Sequence, residues 1–318
     1  MQAVLTSRYG DETQLELGEL ASPAIGLKEI LIEVKAAGLN PVDWKVLRGD
    51  ARLFSGWTRP PRILGADFAG LVKQVGPKVP NYQPGDKVFG MVPAFKGGAF
   101  AQQIIVTANN IAPMPTHLDF SEAAAMPLVA LTAHQFMFQK AQLQPGRHVL
   151  INGCTGGLGH IAVQLAKASG ATVTGVCSGK NAALAKQLGC DEVIDYRQHD
   201  PLTLNGQYDL IFDTASTMRF RTARKRLSPK GAFATALPSL QNLFVAPLLN
   251  GLRAQKEHGL WVAPNDKALA HIADSSQTHH IRPHIEQTYP ITDIARAIGH
   301  SKSGKVRGKL VLTFPAAD

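Results

Sequence analysis

The residues best placed to do chemistry lie in the run Val149-Leu-Ile-Asn-Gly-Cys-Thr-Gly-Gly-Leu-Gly-His-Ile-Ala-Val-Gln-Leu-Ala-Lys167. Gly153, Thr155, Gly156, Gly157, Leu158 and Gly159 stand between an apolar strand and an amphipathic helix. Glycines there permit a tight turn and let backbone N–H groups approach a pyrophosphate with no Cβ in the way. The following helix points unpaired N–H groups and a partial positive charge at the phosphates. Strand, loop, helix and second strand arrive in the order that makes such a motif specific, so a dinucleotide site is expected. The end of the second strand tells which one. An NAD site carries Asp or Glu there to hold the ribose 2′-hydroxyl, whereas this chain has Val176-Cys-Ser-Gly-Lys-Asn181. No carboxylate is expected to repel a 2′-phosphate, Ser178 offers a hydrogen bond, and Lys180 supplies a point charge. NADPH is the expected cofactor. Tyr196, ending the third strand, is expected beside the adenosine.

Other reactive groups are fewer. The three cysteines, Cys154, Cys177 and Cys190, are an odd count and too few for a disulfide framework, which points to a reducing cytoplasm. His279 and His280 with His284 form a further metal-ligand candidate; in so polar a segment a surface turn is expected, and no metal. The net charge of +9 has two readings, a nucleic-acid or membrane footprint and a general attraction for an anionic cofactor. Its densest cluster, Arg219, Arg221, Arg224, Lys225 and Arg226, has the spacing of a solvated helix face, so a nucleic-acid partner is not expected. Trp44, Phe54 and Trp57 fit either packing or a flat apolar pocket for an aromatic or alkenyl substrate.

These residues need elements to position them. Residues 1–118 hold short β-type runs broken by Gly and Pro, such as Glu29–Lys35, Gly70–Val75 and Phe100–Val106, and read as an irregular β-barrel. At 119–125 a helix opens, with Ser121 as its expected cap and Glu122 in its first turn. Strands are then expected at Arg147–Asn152, Thr172–Cys177, Glu192–Tyr196, Asp209–Asp213 and Ala232–Leu237. Helices at about 160–169, 181–188 and 217–227 alternate with them, which argues for a parallel sheet with right-handed crossovers. The last strand is expected at Lys309–Phe314. No run of about 18 apolar residues exists, and the N-terminus lacks the pattern of a signal peptide.

With these pieces assembled, the chain resembles the medium-chain dehydrogenase/reductase superfamily in its zinc-free, quinone oxidoreductase-like branch. The resemblance rests on Ala37-Gly-Leu-Asn-Pro-Val-Asp43, Gly65-Ala-Asp-Phe-Ala-Gly70, Pro84-Gly-Asp-Lys-Val88, residues 127–133, the glycine loop and Gly308-Lys-Leu-Val-Leu312. It implies an α/β fold: a GroES-like β-barrel catalytic domain at 1–118 and 258–318, and a Rossmann doubly wound parallel-sheet cofactor domain at 119–257. Alcohol dehydrogenases carry a zinc-binding cysteine where this chain has Asn40-Pro41, and Gly-His-Glu where it has Gly65-Ala66-Asp67. The resemblance implies Asn40, Asp43 and Lys45 near nicotinamide and substrate, Thr132 on the nicotinamide amide, and Lys309 at a cofactor phosphate. Asp43 and Lys45 are equally open to simple pairing. The implied activity is NADPH-dependent hydride transfer to quinones or α,β-unsaturated carbonyl compounds by a homodimer. Enoyl-thioester reduction, or a cofactor-binding protein acting through RNA or protein contacts, are the alternatives.

Overall fold

In the strand Ile30–Leu39 eight of ten positions are buried, a pattern stable only where both faces are covered. The computed structural model, describing residues 1–204, 206–236, 239, 241–259 and 262–314, provides that cover. Ile30–Leu39 is central to a seven-stranded sheet. Its neighbours are Lys309–Thr313 on one side and Asp67–Val75 on the other, and Gln103–Val106 pairs with its first half. Lys87–Met91 and Ile111–Pro113 extend the sheet beyond Asp67–Val75, and Ile285–Pro290 extends it beyond Lys309–Thr313. Ile30, Ile32, Leu47, Leu64, Phe68 and Phe100 fill its core. This GroES-like unit comprises Met1–Leu128 and Ala263–Asp318, so both ends of the chain build it.

The second unit, Val129–Val262, is the Rossmann-like one. Its sheet is parallel throughout, in the spatial order Glu192–Asp195, Thr172–Cys177, His148–Asn152, Tyr208–Asp213, Leu227–Thr235, Lys256–His258. Chain order reverses between His148–Asn152 and Tyr208–Asp213, and in sheets of this kind ligands bind where the order reverses, beyond the strands' carboxyl ends. The helix Gly159–Ala168 buries Ile161, Val163 and Leu165.

The units divide at Leu128 and Val262 rather than at 118 and 257. The helix Phe120–Ala124 belongs to the first unit, where Glu122 pairs with Arg282 at 2.6 Å. Its cap is Asp119, not Ser121: Asp119 Oδ1 accepts the Glu122 amide at 2.8 Å, and Glu122 Oε2 accepts the Asp119 amide at 3.0 Å. A carboxylate one turn before Glu122 completes this reciprocal box, and a hydroxyl at 121 lies two residues too far along. The helix expected over 217–227 shrinks to Phe220–Ala223 with a tight turn at Arg224–Arg226. Asp213 is the reason. Its carboxylate takes the amides of Thr217 and Met218, at 3.3 and 2.7 Å, and holds that stretch out of helix. The following strand begins early, at Leu227, and Leu237, its expected end, lies outside the described residues.

Candidate active site

The glycine loop sits at the reversal point of the second unit. Gly153 takes a φ of +81°, and a Cβ there would meet Thr214 Oγ1 at 2.9 Å. A Cβ on Gly159 would come within 2.1 Å of the Gly153 carbonyl oxygen. The loop is therefore closed to side chains at both ends, leaving a backbone cradle that fits a pyrophosphate. It is tied to the neighbouring strand by the amides of Gly153 and Cys154, which both donate to the Val176 carbonyl, at 2.9 and 3.1 Å. Asn152 Nδ2 donates to Asp213 Oδ1 at 2.7 Å, joining the ends of the two strands that flank the reversal. Thr155 is buried and accepts a 3.4 Å hydrogen bond from Asn181 Nδ2. That contact links the loop to the Ser178–Asn181 turn.

In that turn Ser178 is buried while Lys180 is exposed; Tyr196 is exposed beyond the next strand. The structure adds a residue that sequence reading missed. Asp195 Oδ2 lies 2.5 Å from where a Cβ on Gly179 would stand, so a carboxylate does neighbour this turn. It arrives from the adjacent strand, where register sets Asp195 opposite Cys177. Thr132 is buried on the helix Pro127–His134.

The three cysteines also gather in this unit. All are buried, and a Cβ on Gly175 would lie 2.5 Å from Cys190 Sγ and 2.8 Å from Cys154 Sγ. Hydrogen bonding to Cys177 and Cys190, reinforced by burial, pushes the Cys154 thiol up, which keeps it protonated and unreactive.

In the first unit, Asn40, Asp43, Asp67 and Lys309 form a buried polar cluster. Asn40 precedes the helix Pro41–Arg48, and its amide N–H donates to Asp43 Oδ2 at 2.7 Å. Asn40 Nδ2 donates to Asp67 Oδ2 at 2.9 Å, while Lys309 Nζ donates to Asn40 Oδ1 and lies 3.7 Å from Asp67 Oδ2. The Leu128 amide donates to Asp67 Oδ1 at 2.9 Å. Burial pushes Asp43 up to about 7, with Asp67 adding to the rise and the Asn40 amide, Lys309 and the Ala66 amide opposing it. Burial likewise raises Asp67 to about 6 against Lys309, Asn40 and the Leu128 amide. Burial lowers Lys309, and Asp67 and Asp43 resist that fall.

This geometry sorts the residues expected near the substrate. The ammonium whose charge opposes the rise at Asp43 is that of Lys309. Lys45 is half-buried with its Nζ 5.7 Å from the Trp44 ring. Lys309, expected at a cofactor phosphate, is buried with its ammonium engaged by Asn40 and Asp67, which favours a positioning role. Trp44 packs against the core and donates from Nε1 to Ser301 Oγ at 3.2 Å, whereas Phe54 and Trp57 are exposed, so the three do not form one lining. Among the described residues no group of three or more His, Cys, Asp or Glu is arranged to hold a metal ion. His280 ends the helix Asp266–His279 in a left-handed turn.

Residues 26–116 match the alcohol dehydrogenase GroES-like domain family, and residues 188–312 the zinc-binding dehydrogenase family. The chain is 31% identical to a chloroplastic quinone-oxidoreductase homolog of Spinacia oleracea over 98% of each. It is 30% identical to a mitochondrial NAD(P)H oxidoreductase of Danio rerio, covering 99% of this chain and 91% of that one. The structure of the quinone oxidoreductase from Coxiella burnetii superposes with a TM-score of 0.88 at 28% identity, covering 98% of this chain and 99% of that one. The chain belongs to the medium-chain dehydrogenase/reductase superfamily, in its quinone oxidoreductase-like branch. It is an oxidoreductase that works with a nicotinamide cofactor. Among the described residues no helix is long and apolar enough to cross a membrane.

Proposed function

We propose that this enzyme is an NADPH-dependent, zinc-independent reductase acting on quinones or α,β-unsaturated carbonyl compounds. The observation that carries the reading is the backbone cradle at Gly153–Gly159 tied to a turn that offers Ser178 and Lys180. When bound, NADPH supplies the hydride. Amides of the glycine loop hold the pyrophosphate, Ser178 and Lys180 take the 2′-phosphate, Tyr196 flanks the adenosine, and Thr132 fixes the carboxamide.

A conjugated acceptor suits a metal-free enzyme, because the charge that follows hydride addition spreads onto oxygen as phenolate or enolate. Lys45, partly exposed, is the donor proposed for that oxygen. Asn40 and Asp43 set the start of the helix that carries it, and Lys309 fixes Asn40. The donor set supports the absence of zinc: an ammonium already stands beside the carboxylate of Asp67, where a cation would have to compete with it.

Two measurements test this. NADPH absorbance should fall with 1,4-quinones or 2-alkenals; turnover of enoyl thioesters alone would reassign the substrate class. Lys180→Ala or Ser178→Asp should weaken NADPH by roughly tenfold or more while sparing NADH. Equal losses for both cofactors would remove the 2′-phosphate assignment.

A further inference from the structure

Between the buried Thr155 and the buried Gly159 the glycine loop comes up towards solvent, with Gly156, Gly157 and Leu158 half-buried. Its backbone is held from the inside. The Gly156 amide donates to the Gly153 carbonyl at 2.9 Å, and the Gly153 amide donates in turn to the Val176 carbonyl of the neighbouring strand at 2.9 Å. The Gly156 carbonyl is claimed twice by His160, in the first turn of the helix Gly159–Ala168. The His160 amide donates to it at 3.1 Å, and ring Nδ1 of the same residue lies 3.0 Å from it. His160 is fully buried.

A carbonyl oxygen only accepts, so Nδ1 of His160 must carry the proton that oxygen receives. The consequence runs through the peptide plane. In a planar trans peptide the C=O of one residue and the N–H of the next point in opposite directions. With the Gly156 carbonyl drawn inward to a buried imidazole, the Gly157 N–H is turned the other way, to the open side of the loop. No acceptor among the described residues takes that amide. Two successive glycines put up little steric resistance to rotation of the plane between them. The orientation therefore needs an anchor, and the imidazole is one.

We propose that His160 is a positioning residue for the cofactor: its Nδ1–H holds the Gly156 carbonyl inward and so keeps the Gly157 N–H aimed at the pyrophosphate. The inference rests on the glycine loop being the cofactor cradle, and it adds the side chain that sets the cradle before binding. Without that bond the peptide plane turns more freely, and its ordering falls to the binding step, at a cost in affinity. The pyrophosphate is common to NADPH and NADH, so His160 bears on both alike. Ser178 and Lys180, assigned to the 2′-phosphate, bear on NADPH alone.

The test is titration of the cofactor-free protein with NADPH and with NADH, followed by intrinsic fluorescence. His160→Leu removes the donor and keeps an apolar side chain of similar size. His160→Asn restores a donor, because its Nδ2 stands where the imidazole Nδ1 stands. His160→Leu should weaken both cofactors by roughly three- to tenfold with their ratio unchanged, and His160→Asn should return to within about twofold of the wild type. Nitrogen NMR of histidine-labelled wild type, with no cofactor present, should place the His160 ring proton on Nδ1. Thermal melting shows whether each variant folds; should His160→Leu not fold, the ring spectrum decides alone. A ring proton on Nε2 only, equal binding by a folded His160→Leu protein, no recovery in His160→Asn, or a loss confined to NADPH each overturns the proposal. Wild type that takes up neither cofactor overturns the cradle itself, whereas normal uptake with any of those results removes His160 alone.

Discussion

Asp195 shows how one side chain reshapes the cofactor question. Its carboxylate accepts the Arg197 amide at 3.0 Å and Gln198 Nε2 at 3.3 Å, and stands against Gly179, between the two residues assigned to the 2′-phosphate. A charge placed there opposes a phosphate by roughly 1 kcal/mol at a solvated separation of about 8 Å. Asp195→Asn should therefore tighten NADPH by about three- to tenfold and leave NADH nearly unchanged, as read by fluorescence titration. Unchanged NADPH affinity would show that Asp195 faces away from the phosphate. Ser178 and Lys180 were legible in the sequence because they lie a fixed distance along the chain from the glycine loop. Asp195 was not, because only the pairing of its strand with Thr172–Cys177 brings it to the same turn. The inward turn of Lys309 was hidden for a related reason: sequence pattern marks the strand it starts but not that its side chain reaches Asn40.

At the scale of elements, the strand Thr172–Cys177 depends on Gly175. The sulfurs of Cys154 and Cys190 occupy the space a methyl group would need. Gly175→Ala should cost roughly 1–3 kcal/mol through overpacking, lowering the melting temperature by several degrees in calorimetry. An unshifted melt would mean that the thiols yield without cost. Strands and helices of this unit follow the hydrophobic period closely, since sheet and crossover helices bury apolar residues at their own spacings. That is why Thr172–Cys177 was read end to end and Gly159–Ala168 within a residue. The period failed at 217–227, where the arginines suggested a helix and the Asp213 carboxylate had already claimed the first amides.

Across the whole molecule, folding stability should carry the mark of the buried carboxylates. Unfolded Asp43 ionises near pH 4, whereas in the folded protein burial holds it at about 7. The folded state keeps a proton that the unfolded chain releases, so the stability it lends is full below about pH 4 and is lost as pH climbs through about 7. Asp67 acts in the same direction up to about 6. Asp43→Asn removes one of these titrations. Denaturant unfolding should show the variant gaining on the wild type by roughly 1–4 kcal/mol between about pH 5 and about pH 8; parallel profiles would mean that Asp43 is ionised throughout. The cluster also sets an order of events at the ribosome. Lys309 follows Asn40 by 269 residues, and the strand it begins pairs with Ala36–Leu39. At roughly 5–20 residues per second, the nascent barrel waits roughly 13–54 s for that strand, with two neighbouring carboxylates lacking their counter-charge and a sheet edge unzipped. Residues 129–262 emerge meanwhile and are free to fold first, so the half of the enzyme begun earliest is the half completed last.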